Sequence, residues 1–151
     1  MESLGFNEIL KRLEYFCAYQ ERCEFDVLEK IKKLGLQNPE KTEMLIKRLQ
    51  KDGFLDQTRF VNSYITGKVS IKKWGVNKIR AGLVQKRIDP VIIARGIMEI
   101  DADLYQENLQ ALFEKKIIAL KDYKTDYQQK SKVIRFLSGK GYSSEEIYRL
   151  F

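Results

Sequence analysis

Residues 57–88 form a basic segment that holds eight Lys or Arg residues and no Asp or Glu. The rest of the chain is nearly balanced, because residues 1–56 hold 10 basic and 11 acidic residues and residues 89–151 hold 10 of each. The net charge of +7 therefore comes from this one segment. Clustered positive charge attracts phosphate groups and acidic protein surfaces, so the segment is a candidate for contact with a nucleic acid or an acidic partner.

The candidate contact residues are the basic side chains in the later part of this segment: Lys68, Lys72, Lys73, Lys78, Arg80, Lys86 and Arg87. With about 100° per residue, Val76, Ile79 and Leu83 define the buried face of a helix. Lys78 and Arg80 then lie on opposite flanks of that face, so the cations form a basic region rather than one stripe. The alternative is that they are solvated residues suited to a helix, the last two lying near its C-terminal dipole.

Trp74, the only tryptophan of the chain, lies inside the basic segment. Its ring could stack on a nucleic-acid base or anchor a protein interface. A tryptophan that precedes a glycine at the start of a helix more often packs into a core, and its counterpart Tyr127 in the internal repeat described below favours this interpretation. We therefore expect Trp74 to be a core residue.

The composition argues against catalysis and against a metal or cofactor site. Cys17 and Cys23 are too few for a disulfide framework, and without histidine they complete none of the common zinc ligand sets. The absence of histidine also removes the usual general base near neutral pH. No phosphate-binding or dinucleotide-binding glycine pattern is present. We predict that the two cysteines are small core or half-buried residues in a non-enzyme with no cofactor.

The hydropathy pattern predicts a soluble protein. Apolar runs such as residues 91–94 are far shorter than the roughly 18–20 residues that cross a bilayer. The N-terminal MESLGFNEILKRLEYF lacks the charged-then-apolar order of a signal peptide. We expect a cytoplasmic location.

The chain is predicted to be all-α, because apolar residues recur with helical spacing and helix-capping signals separate the runs. Asn38-Pro39 and Asp89-Pro90 each combine an N-cap side chain with a proline at the first helical position. Ser143 and Glu146 form a capping-box pattern. Glycines that follow predicted helix ends are expected to adopt left-handed C-caps: Gly35, Gly53 and Gly141.

An internal repeat connects these helices. The apolar triplet Val27, Ile31 and Leu36 recurs as Ile79, Leu83 and Ile88, and again as Val133, Leu137 and Tyr142. The repeat predicts three tandem three-helix units, at residues 1–55, 56–100 and 101–151, with the second unit basic. A small three-helix unit is marginal alone, so we expect the units to stack and share a core.

Residues 47–89 also carry a recognisable pattern. Its first part contains Leu49, Gly53, Leu55, Asp56, Arg59 and Phe60, and its second part contains Gly75, Ile79, Arg80, Leu83 and the run Lys86-Arg87-Ile88. The segment resembles the RecX family of regulatory proteins of the bacterial recombinase RecA. Two departures stand out, Gln57-Thr58 in place of an acidic pair and Arg87 in place of a common glycine. Because a non-glycine residue resists positive φ, Arg87 predicts a turn that does not need it.

The resemblance, which extends more loosely over residues 20–151, implies an elongated, curved array of three-helix units. It also implies a non-catalytic, monomeric regulator that binds the RecA filament on single-stranded DNA, without a membrane, and lowers recombinase and ATPase activity in DNA repair. Weak direct contact with DNA stays an open alternative. Two other functions are compatible with the residues: a helix-turn-helix DNA-binding protein with residues 76–87 as recognition helix, and a scaffold for an unrelated protein.

Overall fold

The computed structural model describes residues 4–151, which fold into nine helices without a strand. Their bounds are α1 (Phe6–Tyr19), α2 (Glu24–Lys33), α3 (Pro39–Lys51), α4 (Gln57–Ser70), α5 (Val76–Gln85), α6 (Pro90–Met98), α7 (Ala102–Ile117), α8 (Tyr127–Gly139) and α9 (Ser144–Tyr148). The most extensive helix contacts fall within three successive triads, α1–α3, α4–α6 and α7–α9, here called the first, second and third units. The predicted all-α repeat architecture is confirmed. The exact unit boundaries stay predictions, and the first three residues of the first unit lie outside the described range.

The predicted helix starts are formed by the predicted caps. Side-chain oxygens of Asn38 and Asp89 accept backbone amide hydrogens of α3 and α6 at 3.0 and 2.8 Å. Ser143 and Glu146 exchange side-chain-to-amide hydrogen bonds at 3.1 and 2.9 Å, which completes the capping box of α9. These local bonds satisfy amide groups that the start of a helix leaves without partners.

The same left-handed turn ends the second helix of every unit. Gly35, Arg87 and Gly141 follow α2, α5 and α8 with φ of 87°, 59° and 105°. After each of them, the next amide donates to the carbonyl five residues earlier, at 3.2–3.3 Å: Leu36 to Ile31, Ile88 to Leu83 and Tyr142 to Leu137. This is the Schellman motif. The expectation that Arg87 avoids positive φ is therefore wrong, because the repeat imposes the same turn despite the steric penalty of a side chain.

Each unit has its own hydrophobic cluster rather than a share in one continuous core. The first two residues of each apolar triplet lie at the centres of these clusters, with exposed fractions of 0–2%: Val27, Ile31, Ile79, Leu83, Val133 and Leu137. Sharing is limited at the first junction to Cys23 and Phe25, which belong to the first unit in sequence and pack in the cluster of the second. The expected common core is thus replaced by three small cores.

Both cysteines are buried thiols, as predicted. Burial raises the pKa of Cys17 and of Cys23 to about 11. A thiol held in its neutral form is a poor nucleophile and a poor metal ligand.

The third unit caps the first turn of α5 with its own backbone. The amides of Gly75 and Asn77 donate to the carbonyls of Lys140 and Gly141 at 2.7 and 2.9 Å. The amide between them donates to the hydroxyl of Tyr105 at 3.0 Å. A Cβ atom on either glycine would fall against the backbone of the other, so only a glycine pair permits this approach. The backbones of the second and third units are therefore in direct contact at this junction.

Two further hydrogen bonds strengthen this junction. Asn108, a buried polar residue of α7, donates from Nδ2 to the carbonyl of Val69 at 2.9 Å. The hydroxyl of Tyr142 donates to the carbonyl of Lys73 at 2.8 Å. The two bonds satisfy one carbonyl in the last turn of α4 and one in the segment that follows it, so this part of the second unit is positioned by the third.

Ion pairs join the first and second units instead. Lys86 Nζ lies 2.6 Å from Asp26 Oδ1, and Arg59 Nε lies 2.7 Å from Glu21 Oε1. Arg59 also donates to the carbonyl of Gly53 at 2.9 Å, at the end of α3. This junction depends on charged side chains, whereas the junction between the second and third units depends on backbone contact.

Candidate interaction surface of the second unit

The seven predicted contact residues do not share one environment. Lys72, Lys78, Arg80 and Arg87 are exposed, whereas Lys68, Lys73 and Lys86 are half-buried. They extend from the last turn of α4 through the connecting segment and along α5 to its left-handed turn. The basic region is therefore continuous in sequence but divided on the surface.

Trp74 is half-buried and packs its ring against the hydrophobic cluster of the second unit. The ammonium groups of Lys68 and Lys78 each lie 4.6 Å from its ring centroid. Such cation–π contacts hold the two lysines beside the ring. Trp74 thus belongs to the edge of the core, and Tyr127 does not support a core position, because Tyr127 is 82% exposed.

Lys86 turns toward the first unit, where it forms the short ion pair with Asp26. Burial of Asp26 opposes its ionisation, but hydrogen bonds from Lys86 and from the amide of Cys23 hold the pKa of Asp26 below its ordinary value. Lys86 is also within 5.9 Å of the centroid of Phe60. Its charge is partly neutralised inside the protein, which leaves less of it for an outside partner.

Arg87 also faces the first unit. Its guanidinium carbon lies 5.3 Å from the ring centroid of Phe25, while the residue itself stays exposed. The left-handed turn aims this side chain, so a strained backbone and a contact between units coincide at one residue.

A groove of about 450 Å³ separates α4 from the loop between α1 and α2. Lys68, Lys72 and Lys86 line it together with Tyr64. The first unit contributes both charge signs to its wall: Gln20, Glu21, Arg22 and Asp26. Within the described part of the chain, Oε2 of Glu21 is buried without a hydrogen-bond partner. The groove thus combines cations, carboxylates and an aromatic ring within one concave surface.

The remaining predicted residues lie away from the groove. Lys78 lies at the junction with the third unit, because a Cβ atom on Gly141 would meet the Cβ atom of Lys78. Arg80 is exposed on α5 and does not line the groove. Lys73 has a positive φ of 55° and uses its carbonyl for the bond from Tyr142. The structure therefore assembles three of the seven predicted cations at the groove and separates the others.

Sequence reasoning missed Glu21, Asp26 and Tyr64 as parts of this surface. Asp26 gives only a local signal, as an acidic residue in the first turn of α2. Its pairing with Lys86, 60 positions later, depends on how two units dock. Tyr64 has the helical apolar spacing typical of a core residue, but it is half-buried beside the groove.

The described helices include none long and apolar enough to span a membrane. In residues 4–151, no three His, Cys, Asp or Glu side chains are grouped as metal ligands.

The fold and the surface define a class: an all-helical array of tandem three-helix units whose middle unit carries the excess positive charge. Two family models match the chain, the second three-helix domain of RecX over residues 56–97 and the third three-helix domain of RecX over residues 103–151. The chain belongs to the RecX family.

Relatives named regulatory protein RecX support this assignment. The protein of Serratia proteamaculans is 31% identical over 114 residues, which cover 76% of this chain and 66% of that protein. The protein of Pseudomonas fluorescens is 28% identical over 133 residues, covering 88% of this chain and 83% of that protein. A Clostridium botulinum protein is 34% identical over 100 residues, covering 66% of this chain but only 46% of its own length. The match thus spans about half of the Clostridium relative.

Two solved structures share the fold. The crystal structure of RecX from Lactobacillus salivarius has a TM-score of 0.81 at 19% identity, covering 95% of this chain and 92% of that one. A crystal structure of regulatory protein RecX has a TM-score of 0.83 at 23% identity, covering 96% of this chain and 71% of that one. At these identities the likeness establishes the arrangement of helices.

Proposed function

We propose that this protein is a non-catalytic, cytoplasmic regulator that binds the RecA filament on single-stranded DNA and lowers its ATPase and recombinase activity. Membership of a family of regulatory proteins supports the role. The observation that carries the proposal is the groove with Lys68 and Lys72 on one wall and Glu21 on the other. A protein filament around DNA presents charged side chains of both signs and phosphates, which this combination complements.

The contacts within the protein indicate which cations of the basic segment are available to a partner. Lys72 is exposed at the groove, so it is available to an acidic or phosphate partner. Lys86 is engaged with Asp26 and contributes to the shape of the groove rather than to direct contact. We infer that the groove-facing cations, rather than the whole basic segment, contact the filament as a monomer docks on it.

The helix-turn-helix alternative is disfavoured by the surroundings of α5. A recognition helix reads bases with residues near its N-terminus. In this protein the amides of Gly75 and Asn77 are bonded to the third unit, and the backbone of Gly141 contacts Gly75 and Lys78. The third unit therefore lies against the N-terminal end of α5, the end with which a recognition helix contacts base edges.

A titration of RecA ATPase activity on single-stranded DNA tests the proposal. We expect inhibition at ratios well below one molecule of this protein per RecA, because a bound regulator would affect neighbouring subunits of the filament. An ATPase rate unaffected by an equimolar amount would refute the proposal and favour a scaffold for another partner. Tight, sequence-selective binding to duplex DNA without RecA would instead favour the helix-turn-helix function.

A further inference from the structure

The first unit carries a patch that combines exposed aromatic rings with cations. Tyr15 and Tyr19 on α1 are 74% and 75% exposed. They border a shallow cavity of about 560 Å³ whose other lining residues are Lys11, Arg12, Phe16, Arg22, Lys30 and Leu34. Four of these side chains are cationic and none is a carboxylate. The patch is unexpected in a unit whose sequence has slightly more acidic than basic residues.

Internal contacts hold one of these cations in place without neutralising it. Arg22 Nε donates to the carbonyl of Phe16 at 3.0 Å, and the guanidinium carbon lies 3.7 Å from the Phe16 ring centroid. Within residues 4–151 the Nη groups of Arg22 donate no hydrogen bond, so they remain as donors for an external acceptor. An arginine ordered in this way loses little side-chain entropy when it binds a phosphate.

The other cations are also available. Arg12 pairs with Glu8 at 3.5 Å, an exposed pair that contributes little. Lys11 and Lys30 have no carboxylate within ion-pair distance among residues 4–151. The patch therefore keeps a positive potential that attracts an anionic ligand.

We propose that this patch binds single-stranded nucleic acid, with Tyr15 and Tyr19 stacking on successive bases and the cations contacting phosphates. The two tyrosines are four residues apart on one helix face, separated by about one turn of 5.4 Å. Nucleotides of one B-DNA strand are only about 3.4 Å apart and keep their bases paired inside the duplex. An extended single strand matches the tyrosine spacing and exposes base faces for stacking.

This surface shares Arg22 with the groove of the second unit but is otherwise lined by other residues, and its binding does not need RecA. It lies at residues 11–34, before the segments that the two family models match. A polyanionic peptide such as polyglutamate would use the cations but has no planar base to stack on the tyrosine rings. The stacking residues therefore distinguish the two kinds of partner.

Fluorescence anisotropy with a labelled oligo-dT of about 16 nucleotides, in the absence of RecA, tests the stacking. The double variant Tyr15→Ala/Tyr19→Ala should bind at least tenfold more weakly than the parent, because each stacked base is worth about 1–3 kcal/mol. The matched variant Tyr15→Phe/Tyr19→Phe keeps both rings and should bind like the parent. Parent-like affinity of the alanine variant would overturn the proposal.

The salt dependence tests the phosphate contacts. Lys11→Ala/Lys30→Ala should reduce the magnitude of the slope of log K against log salt by about 1.4, at about 0.7 per lost contact on a single strand. Lys41→Ala/Lys51→Ala removes the same charge from exposed lysines on α3 of the same unit and should leave the slope unchanged. Equal slopes for the two variants would refute phosphate contact by Lys11 and Lys30. Displacement of oligo-dT by polyglutamate at the same charge concentration would identify the patch as an acidic-protein surface and refute the nucleic-acid ligand.

Discussion

The amide nitrogen of Gly75 lies 2.7 Å from the carbonyl oxygen of Lys140, so the start of α5 in the second unit is bonded to the end of α8 in the third. Gly75 is the N-cap of α5 and has no side chain with which to cap it. The backbone of the neighbouring unit supplies the missing acceptors instead. One consequence is that the direction of α5, and of the cations on it, is fixed by the third unit.

Substitution of Gly75 by alanine should therefore destabilise the protein strongly. The φ of Gly75 is −82°, which alanine adopts readily, so the effect would be steric alone. Its Cβ atom would meet the carbonyl carbon of Gly141, and backbone cannot move aside as a side chain can. We expect a loss of about 3 kcal/mol in the free energy of unfolding, measured by urea denaturation.

The control is Gly67→Ala in the interior of α4, where a Cβ atom meets nothing within 4 Å. This variant should gain about 0.5–1 kcal/mol, because alanine is the better helix residue. If both alanine variants unfolded at the same urea concentration, the close approach of the two units would not exist in solution.

Arg87 offers a second test, because it combines a positive φ of 59° with a contact to Phe25. Arg87→Gly removes both the contact and the steric penalty, whereas Arg87→Ala removes only the contact. The glycine variant should be more stable than the alanine variant by about 1 kcal/mol. Thermal denaturation of the two variants side by side measures this difference. A more stable alanine variant would mean that the turn does not adopt the left-handed region.

The ion pair between Lys86 and Asp26 predicts a pH-dependent stability. Since the pKa of folded Asp26 lies below its ordinary 3.8, the pair stabilises the protein fully above about pH 4 and is lost as the pH falls through the folded pKa. Lys86→Met should therefore lower the free energy of unfolding by about 2 kcal/mol at neutral pH. The difference from the parent should close below pH 4.

The matched control is Lys72→Met, which removes the same charge from an exposed side chain of the same groove. We expect less than about 0.5 kcal/mol of change at either pH. A gap between Lys86→Met and the parent that persisted unchanged at pH 2 would assign its effect to packing against Phe60 rather than to the ion pair.

Local features of this fold could be predicted from the sequence. The caps at Asn38, Asp89 and Ser143 depend on residues within three positions of each other, so their side chains identify them. The apolar triplets gave the helix faces for the same reason. The turn at Arg87 is predictable too, because Gly35 and Gly141 lie at the equivalent positions of the repeat and adopt the same left-handed conformation.

The contacts between units could not be predicted, because they join residues far apart in sequence. Nothing near Val69 indicates that its carbonyl accepts a hydrogen bond from Asn108, 39 positions later. The groove has the same origin, since its two walls come from different units. The sequence predicts the charge excess of the basic segment. Which of its cations are available to a partner depends on the contacts of Lys86 with Asp26 and of Lys68 with Trp74.

Charge reversal within the basic segment should separate contact residues from structural ones. Lys72→Glu changes an exposed side chain at the groove, so it should weaken inhibition of RecA ATPase while leaving the melting temperature within about 1–2 °C of the parent. Lys78→Glu is different. Its ammonium lies 4.6 Å from the Trp74 ring centroid, and a carboxylate there would be repelled by the ring.

Lys78→Glu should therefore lower stability by about 1 kcal/mol, whatever it does to inhibition. Lys51→Glu, at the exposed end of α3, makes the same change in net charge away from the groove and should alter neither property. The comparison requires ATPase titrations and melting curves for all three variants. If Lys51→Glu weakened inhibition as much as Lys72→Glu, net charge rather than the groove would control binding, because only a local contact distinguishes two equal changes in charge.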